Sequence, residues 1–180
     1  MVQNTRDKIL TTAEELIMET GNTEVTLDQI ASKLGLSHAA LYKHFRNKQA
    51  LWEAVATLWF NREIINKINI PSSLPQKEQL HNWLWAFVNA KKAAFNTNSK
   101  MFALNTEYID NNPPALRNVL TSAYREIDSI MGYNDPKLEK SELILAAFSI
   151  FTLPNFKDTW NDPEYDKRFE ILWNLIKNGI

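Results

Sequence analysis

The chain has no cysteine, which excludes disulfides, thiol catalysis and any zinc site built on thiolates. Its three histidines are scattered and show no metal-ligand spacing, so neither metal nor cofactor is expected. Only four glycines are present, too few and too dispersed for a phosphate-cradling loop, and no serine stands in a nucleophile-elbow context. An enzyme is therefore not expected. The longest apolar run, Leu143 to Phe151, is nine residues and includes Ser149, well short of the roughly 18 needed to span a bilayer. The opening MVQNTRDKIL lacks the apolar core of a signal peptide. A cytoplasmic protein with no membrane partner is expected. No segment alternates with period two, so no sheet is expected.

What the chain does contain is concentrated between Thr26 and Lys48, in TLDQIASKLGLSHAALYKHFRNK. Thr26 with Gln29 three residues on has the form of a capping box, which satisfies backbone donors orphaned at a helix start. Leu27, Ile30, Ala31 and Leu34 fall on one helical face. Gly35 stands where a helix end needs positive φ, and Ser37 can cap a second helix at once. In that helix Leu41 and Phe45 share a face, and Ala39, Ala40, Tyr42 and Lys43 point the other way. Two short helices joined by one glycine turn describe a helix-turn-helix DNA reader.

Overall charge is nearly balanced, with 20 Lys and Arg against 21 Asp and Glu. That argues against indiscriminate coating of nucleic acid. Locally the balance shifts: Gln29 to Ala50 holds no acid, while Lys33, Lys43, Arg46 and Lys48 lie between Leu27 and Lys48. His38 and His44 add ring donors. Phosphate contacts carry much of DNA affinity, so this clustering matters more than the sum.

Prolines divide the rest into helices. The spacing predicts one helix from Asn47 to about Asn69, another from Gln76 to Phe95 that is apolar nearly all round, and a shorter one from Ser99 to Ile109. Pro114 suits the first turn of a helix that runs on to Gly132. Asp135-Pro136 caps one ending near Pro154, and Asp162-Pro163 one ending near Asn178. The expectation is an all-α protein of about nine helices. Residues 3–63 would form the DNA-binding domain, with its helix-turn-helix at about 26–45. Residues 64–180 would form a C-terminal dimerisation domain.

The last two helices carry apolar residues on more than one face. Leu143, Ala147 and Ile150 in the first, and Phe169, Leu172, Trp173 and Ile176 in the second, are the expected dimer interface; Ile171 and Leu175 widen the stripe. The alternative is an internal core pair. A homodimer is favoured because one recognition helix reads few bases, whereas a twofold pair places two about 34 Å apart on successive major grooves.

The strings ILTTAEELIMETG and VTLDQIASKLGLSHAALYKHFRNKQAL resemble the TetR family of bacterial transcriptional regulators over roughly the first third of the chain. Ile9, Leu10, Ala13, Leu16 and Ile17 look like the family's first helix, closed by Gly21. Leu41 to Phe45 looks like its recognition-helix signature, and Asn47-Lys48 with Ala50-Leu51 like the opening of its fourth helix. Asn22 departs from the aromatic often found there. Ala39 and Ala40 replace the family's usual Gly or Pro followed by Ser or Thr. An alanine methyl can touch a thymine methyl but cannot hydrogen-bond a base edge, so DNA shape would carry part of the specificity.

The resemblance implies double-stranded operator DNA as partner. Tyr42 and Lys43 would lie in the groove, and His38 at the helix tip would reach a base edge. His44 and Lys48 would lie at phosphates, with Thr26 and Ser37 supplying hydroxyls or spared amides. For Tyr42 and His44 a merely exposed side chain is the alternative. The resemblance also implies that residues 64–180 are a ligand-binding as well as a dimerisation domain, holding a small-molecule effector, and that the protein is a repressor released by it. Trp83, Phe87, Phe95, Met101, Phe102, Tyr108 and Tyr124 are candidates for lining that pocket, with ordinary core as the alternative; Glu107 could orient a polar ligand. A protein of the same fold that only assembles on DNA or holds another protein is the competing reading.

Overall fold

The computed structural model describes residues 4–20 and 25–180. Gly21 and Asn22 lie outside them. Every regular element among the described residues is helical, with no strand among them. They divide into two compact units: residues up to Asn61 together with Asn98–Leu116, and Arg62–Thr97 together with Arg117–Ile180.

In the first unit α1 (Thr5–Thr20), α2 (Leu27–Leu34), α3 (His38–Tyr42) and α4 (Lys48–Glu63) as far as Asn61 follow one another. Ile9, Leu10, Ala13 and Ile17 are buried on α1, as are Leu27, Ile30 and Ala31 on α2, Leu41 and Phe45 after the turn, and Leu51, Trp52, Val55 and Trp59 on α4. Leu16, placed on the same face of α1 by its spacing, is only half-buried. The helix α6 (Ser99–Asn105) packs on α1 in the same unit, and Lys100 Nζ donates to the Met18 carbonyl at 3.1 Å.

Three helix boundaries differ from the sequence-based expectation. The helix expected to reach Asn69 stops at Glu63 and continues only as a 3₁₀ turn, Ile65–Lys67. The run Ile64, Ile65, Asn66, Ile68, Asn69 and Ile70 is β-branched or amide-bearing, and such residues extend a helix poorly. After α6 the chain widens into a π-helical turn, Thr106–Asp110, tied by Asn105 Nδ2 donating to Asp110 Oδ2 at 2.9 Å. The expected eighth helix is two pieces, α8 (Glu139–Ala147) and α9 (Ser149–Thr152), separated at Phe148.

The second unit is built on α5 (Gln76–Thr97), which buries Leu80, Trp83, Leu84, Phe87 and Val88. With it are α7 (Pro113–Met131) beyond Leu116, α8, α9, the 3₁₀ segment Pro154–Thr159 and α10 (Tyr165–Ile176). Phe169 of α10 sits among Trp85, Phe148 and Phe151, with ring centroids 4.7, 5.1 and 5.8 Å away.

Two of the three expected proline openings move as well. Pro113 is the first residue of α7, and Pro114 stands in its first turn as expected. The helices after Asp135-Pro136 and Asp162-Pro163 begin at Glu139 and Tyr165, because each Asp-Pro starts a turn before the helix. Asp135 still acts as a cap at a distance: its carboxylate accepts the backbone N–H groups of Lys137 at 3.0 Å and Lys140 at 3.2 Å. Those N–H groups hold its pKa below the ordinary carboxylate value.

Candidate nucleic-acid interface

The turn between α2 and α3 is fixed by local hydrogen bonds. Thr26 Oγ1 accepts the Gln29 N–H at 3.2 Å, and Gln29 Oε1 accepts the Thr26 N–H at 2.7 Å. Both halves of the capping box are therefore made. At the other end Gly35 adopts φ 65° and ψ 28°. Its N–H donates to Ser32 O at 3.2 Å and the Leu36 N–H to Ala31 O at 2.9 Å, the paired bonds of a Schellman end. Ser37 Oγ then accepts the Ala40 N–H at 3.2 Å and starts α3.

This frame decides what α3 shows to solvent. Leu41 and Phe45 are buried, with the Arg6 guanidinium 5.0 Å from the Phe45 ring centroid. On the outer side His38, Ala39, Tyr42, Lys43 and His44 are exposed and Ala40 is half-buried. Tyr42 keeps 44% of its surface accessible, and its ring meets that of His38 edge-on at 5.1 Å. Lys48 is exposed at the start of α4, where Asn47 Oδ1 accepts the Ala50 N–H at 2.8 Å.

The four cations of the segment do not behave alike. Lys33 Nζ lies 2.8 and 3.0 Å from the two Glu19 oxygens and 3.7 Å from Glu15. The Glu19 hydrogen bond, followed by the charges of Glu19 and Glu15, raises its pKa. Its charge is answered within the protein. Among the described residues Lys43, Arg46 and Lys48 have no ion-pair partner, so their charge is available to an external anion. The hydroxyls of Thr26 and Ser37 already cap helices, which leaves them spare lone pairs but no free conformation.

The other expected site residues scatter. Trp83, Phe87, Phe95 and Tyr124 fall in the second unit, and Met101, Phe102 and Tyr108 in the first. Trp83 and Phe87 stack at 5.4 Å and are buried. Phe95 is half-buried against Trp160 at 5.9 Å. Met101 and Phe102 are buried. Tyr108 lies 6.5 Å from Trp52, its hydroxyl pKa raised by burial and then by the Glu107 carboxylate. Burial, with Glu142 behind it, pushes the Tyr124 hydroxyl up to about 12.

On the expected interface helices the structure sorts inward from outward residues. Phe169 and Trp173 belong to the core of their own unit. Leu143 (70% accessible), Ile171 (52%) and Leu175 (76%) face solvent. Ala147 is also exposed, and Ile150, Leu172 and Ile176 are half-buried. Leu143, Ala147 and Ile176 also line a shallow hollow of about 390 Å³ with Tyr133 and Lys140.

With this geometry in place, the likeness to known proteins falls where the turn is. Residues 9–55 match the model of the bacterial regulatory proteins, tetR family. The tetracycline repressor protein class C of Escherichia coli is 36% identical over 73 residues, which cover 41% of this chain and 31% of that protein. The chain thus spans less than a third of the length of that curated relative. Over nearly the whole chain the fold resembles solved structures of low identity. BioQ with its natural double-stranded DNA operator superposes with a TM-score of 0.60 at 16% identity, covering 96% of this chain and 97% of that one. ActR of Streptomyces coelicolor in complex with (S)-DNPA gives 0.56 at 18% identity, with both chains covered in full. What is shared at the level of sequence is therefore the amino-terminal helix-turn-helix segment, residues 9–55, which is similar to that of the bacterial regulatory proteins, tetR family.

Proposed function

We propose that the protein is a transcriptional regulator that binds double-stranded operator DNA as a homodimer. The observation that carries this reading is the capped α2–Gly35–α3 turn, which buries Leu41 and Phe45 and leaves His38, Tyr42 and Lys43 on one exposed face. An α-helix fits the major groove. Tyr42 and Lys43 serve there, His38 reads at the helix tip, and His44 and Lys48 meet phosphates. Arg46, exposed and without an ion-pair partner among the described residues, adds to the positive edge.

Dimerisation rests on Leu143, Ala147, Ile171 and Leu175. These residues form an apolar surface on two helices of one unit that a lone chain leaves in water, and such patches mark association sites. A twofold dimer implies a pseudopalindromic operator. The regulator acts as a repressor released by a small molecule held in the second unit, where Trp83, Phe87 and Tyr124 lie. Release requires that the molecule bind one arrangement of the dimer better than the other.

The test is selection of bound sequences from a random duplex library with purified protein at near-physiological salt. Enrichment of a pseudopalindrome with half-sites about one helical turn apart is expected. Binding should weaken with salt along a log–log slope of roughly −4 to −7 for the dimer. Spreading along DNA without a defined site, by a folded dimer, overturns operator control.

A further inference from the structure

Between Gln29 and Ala50 there is no acid, yet one carboxylate reaches the reading face from just outside that stretch. Asp28, in the first turn of α2, places Oδ1 3.4 Å from Nε2 of His38, the first residue of α3. An acid beside a phosphate-facing surface repels DNA. Helix polarity favours an acid at that end of α2, but it does not explain the approach to His38. The His38 ring is held from a second side by Tyr42, edge-on at 5.1 Å.

We infer that Asp28 is a positioning residue that sets which bases His38 reads. The argument rests on the DNA-reading role proposed for α3. At 3.4 Å the contact is an ion-pair approach and not a hydrogen bond, and the carboxylate's charge favours the ring tautomer that carries its proton on the facing nitrogen, Nε2. With Nε2 protonated toward Asp28, the neutral ring has Nδ1 left as an acceptor. In the major groove an acceptor pairs with an amino group, N6 of adenine or N4 of cytosine. Guanine presents only N7 and O6 acceptors there, and thymine O4 and a methyl. The Asp28–His38 contact therefore selects amino-bearing bases at one position of each half-site. Ala39 and Ala40 next to it have no side-chain polar group to add a competing preference.

The experiment compares base preference at every operator position for the wild type, Asp28→Asn, His38→Ala and the double variant, with fold and dimerisation checked by circular dichroism and sedimentation. Wild type is expected to prefer A or C at one position of each half-site, by about fivefold or more. His38→Ala should flatten that position alone. An Asn amide can donate to Nε2 and release the proton to Nδ1, so Asp28→Asn should weaken the preference or move it toward G or T. The double variant should match His38→Ala, since Asp28 acts through the ring. A purely structural or repulsive role for Asp28 predicts instead that Asp28→Asn changes affinity equally for all sequences, and that result overturns the inference. So does a wild-type preference for G at the position that His38→Ala flattens. If the wild type enriches an operator and the profiles of all four proteins coincide, only the His38 reading falls. If the wild type enriches nothing, the DNA-reading role falls with it.

Discussion

Lys33 Nζ sits 2.8 Å from Glu19 Oε1, so the cation that α2 contributes is turned to α1 and away from the reading face. Lys43, ten positions on, is exposed without an ion-pair partner among the described residues. Lys33→Ala is expected to leave operator affinity and its salt slope unchanged. Lys43→Ala should weaken specific binding by about 1–3 kcal/mol and make the salt slope shallower by about one per head. Binding isotherms at several salt concentrations separate the two.

Tyr42 shows nearly half its surface yet packs its ring on His38. Tyr42→Ala should weaken specific binding by about 1–3 kcal/mol while melting close to wild type. Unchanged affinity in a folded dimer removes Tyr42 from the reading surface.

Gly35 adopts φ 65°, and a methyl group placed there meets nothing within 4 Å. The cost of Gly35→Ala is therefore the backbone's alone, about 1–2 kcal/mol for an L-residue in the left-handed region. Gly35→Asn should recover part of it, since Asn tolerates that conformation. Urea denaturation of the three proteins gives the order Gly, Asn, Ala.

Phe169 and Leu175 lie on one helix with opposite fates, one in the core and one 76% accessible. Phe169→Ala should cost about 3–5 kcal/mol of stability. Leu175→Asp should leave the chain folded and shift it to monomer in sedimentation, with loss of operator binding. A Leu175→Asp protein that stays dimeric removes that face from the interface.

Asp135 joins the turn before α8 by accepting backbone N–H groups, which depress its pKa. A carboxylate with a depressed folded pKa adds stability that is present above its unfolded value, about 3.9, and lost as pH falls through the folded one. Asp135→Asn should melt below wild type near neutrality, and the gap should close in acid. A constant gap across that range rules out the linkage.

The helix-turn-helix was legible because its determinants are local. Thr26 and Gln29, Gly35, and Ser37 and Ala40 act within three or four residues of one another, so spacing alone predicts their bonds. The boundaries that shifted involve balances spacing does not decide. Asp-Pro reads equally as an N-cap with its first helical proline or as a turn ahead of the helix. A long apolar run such as 143–151 does not reveal the break at Phe148.

The sequence by itself therefore determined the helical class, the reading turn and the side of α3 that faces outward, because hydrogen bonds and amphipathic spacing there are short-range. Only the tertiary structure decided that Phe169 and Trp173 turn inward while Ile171 and Leu175 turn out, since a stripe apolar on several faces does not specify which one its neighbours cover. It also brought Glu19 to Lys33 and Asp28 to His38, and drew Asn98–Leu116 into the amino-terminal unit. Those pairings join residues ten or more positions apart, and chain packing, not local propensity, sets their distances.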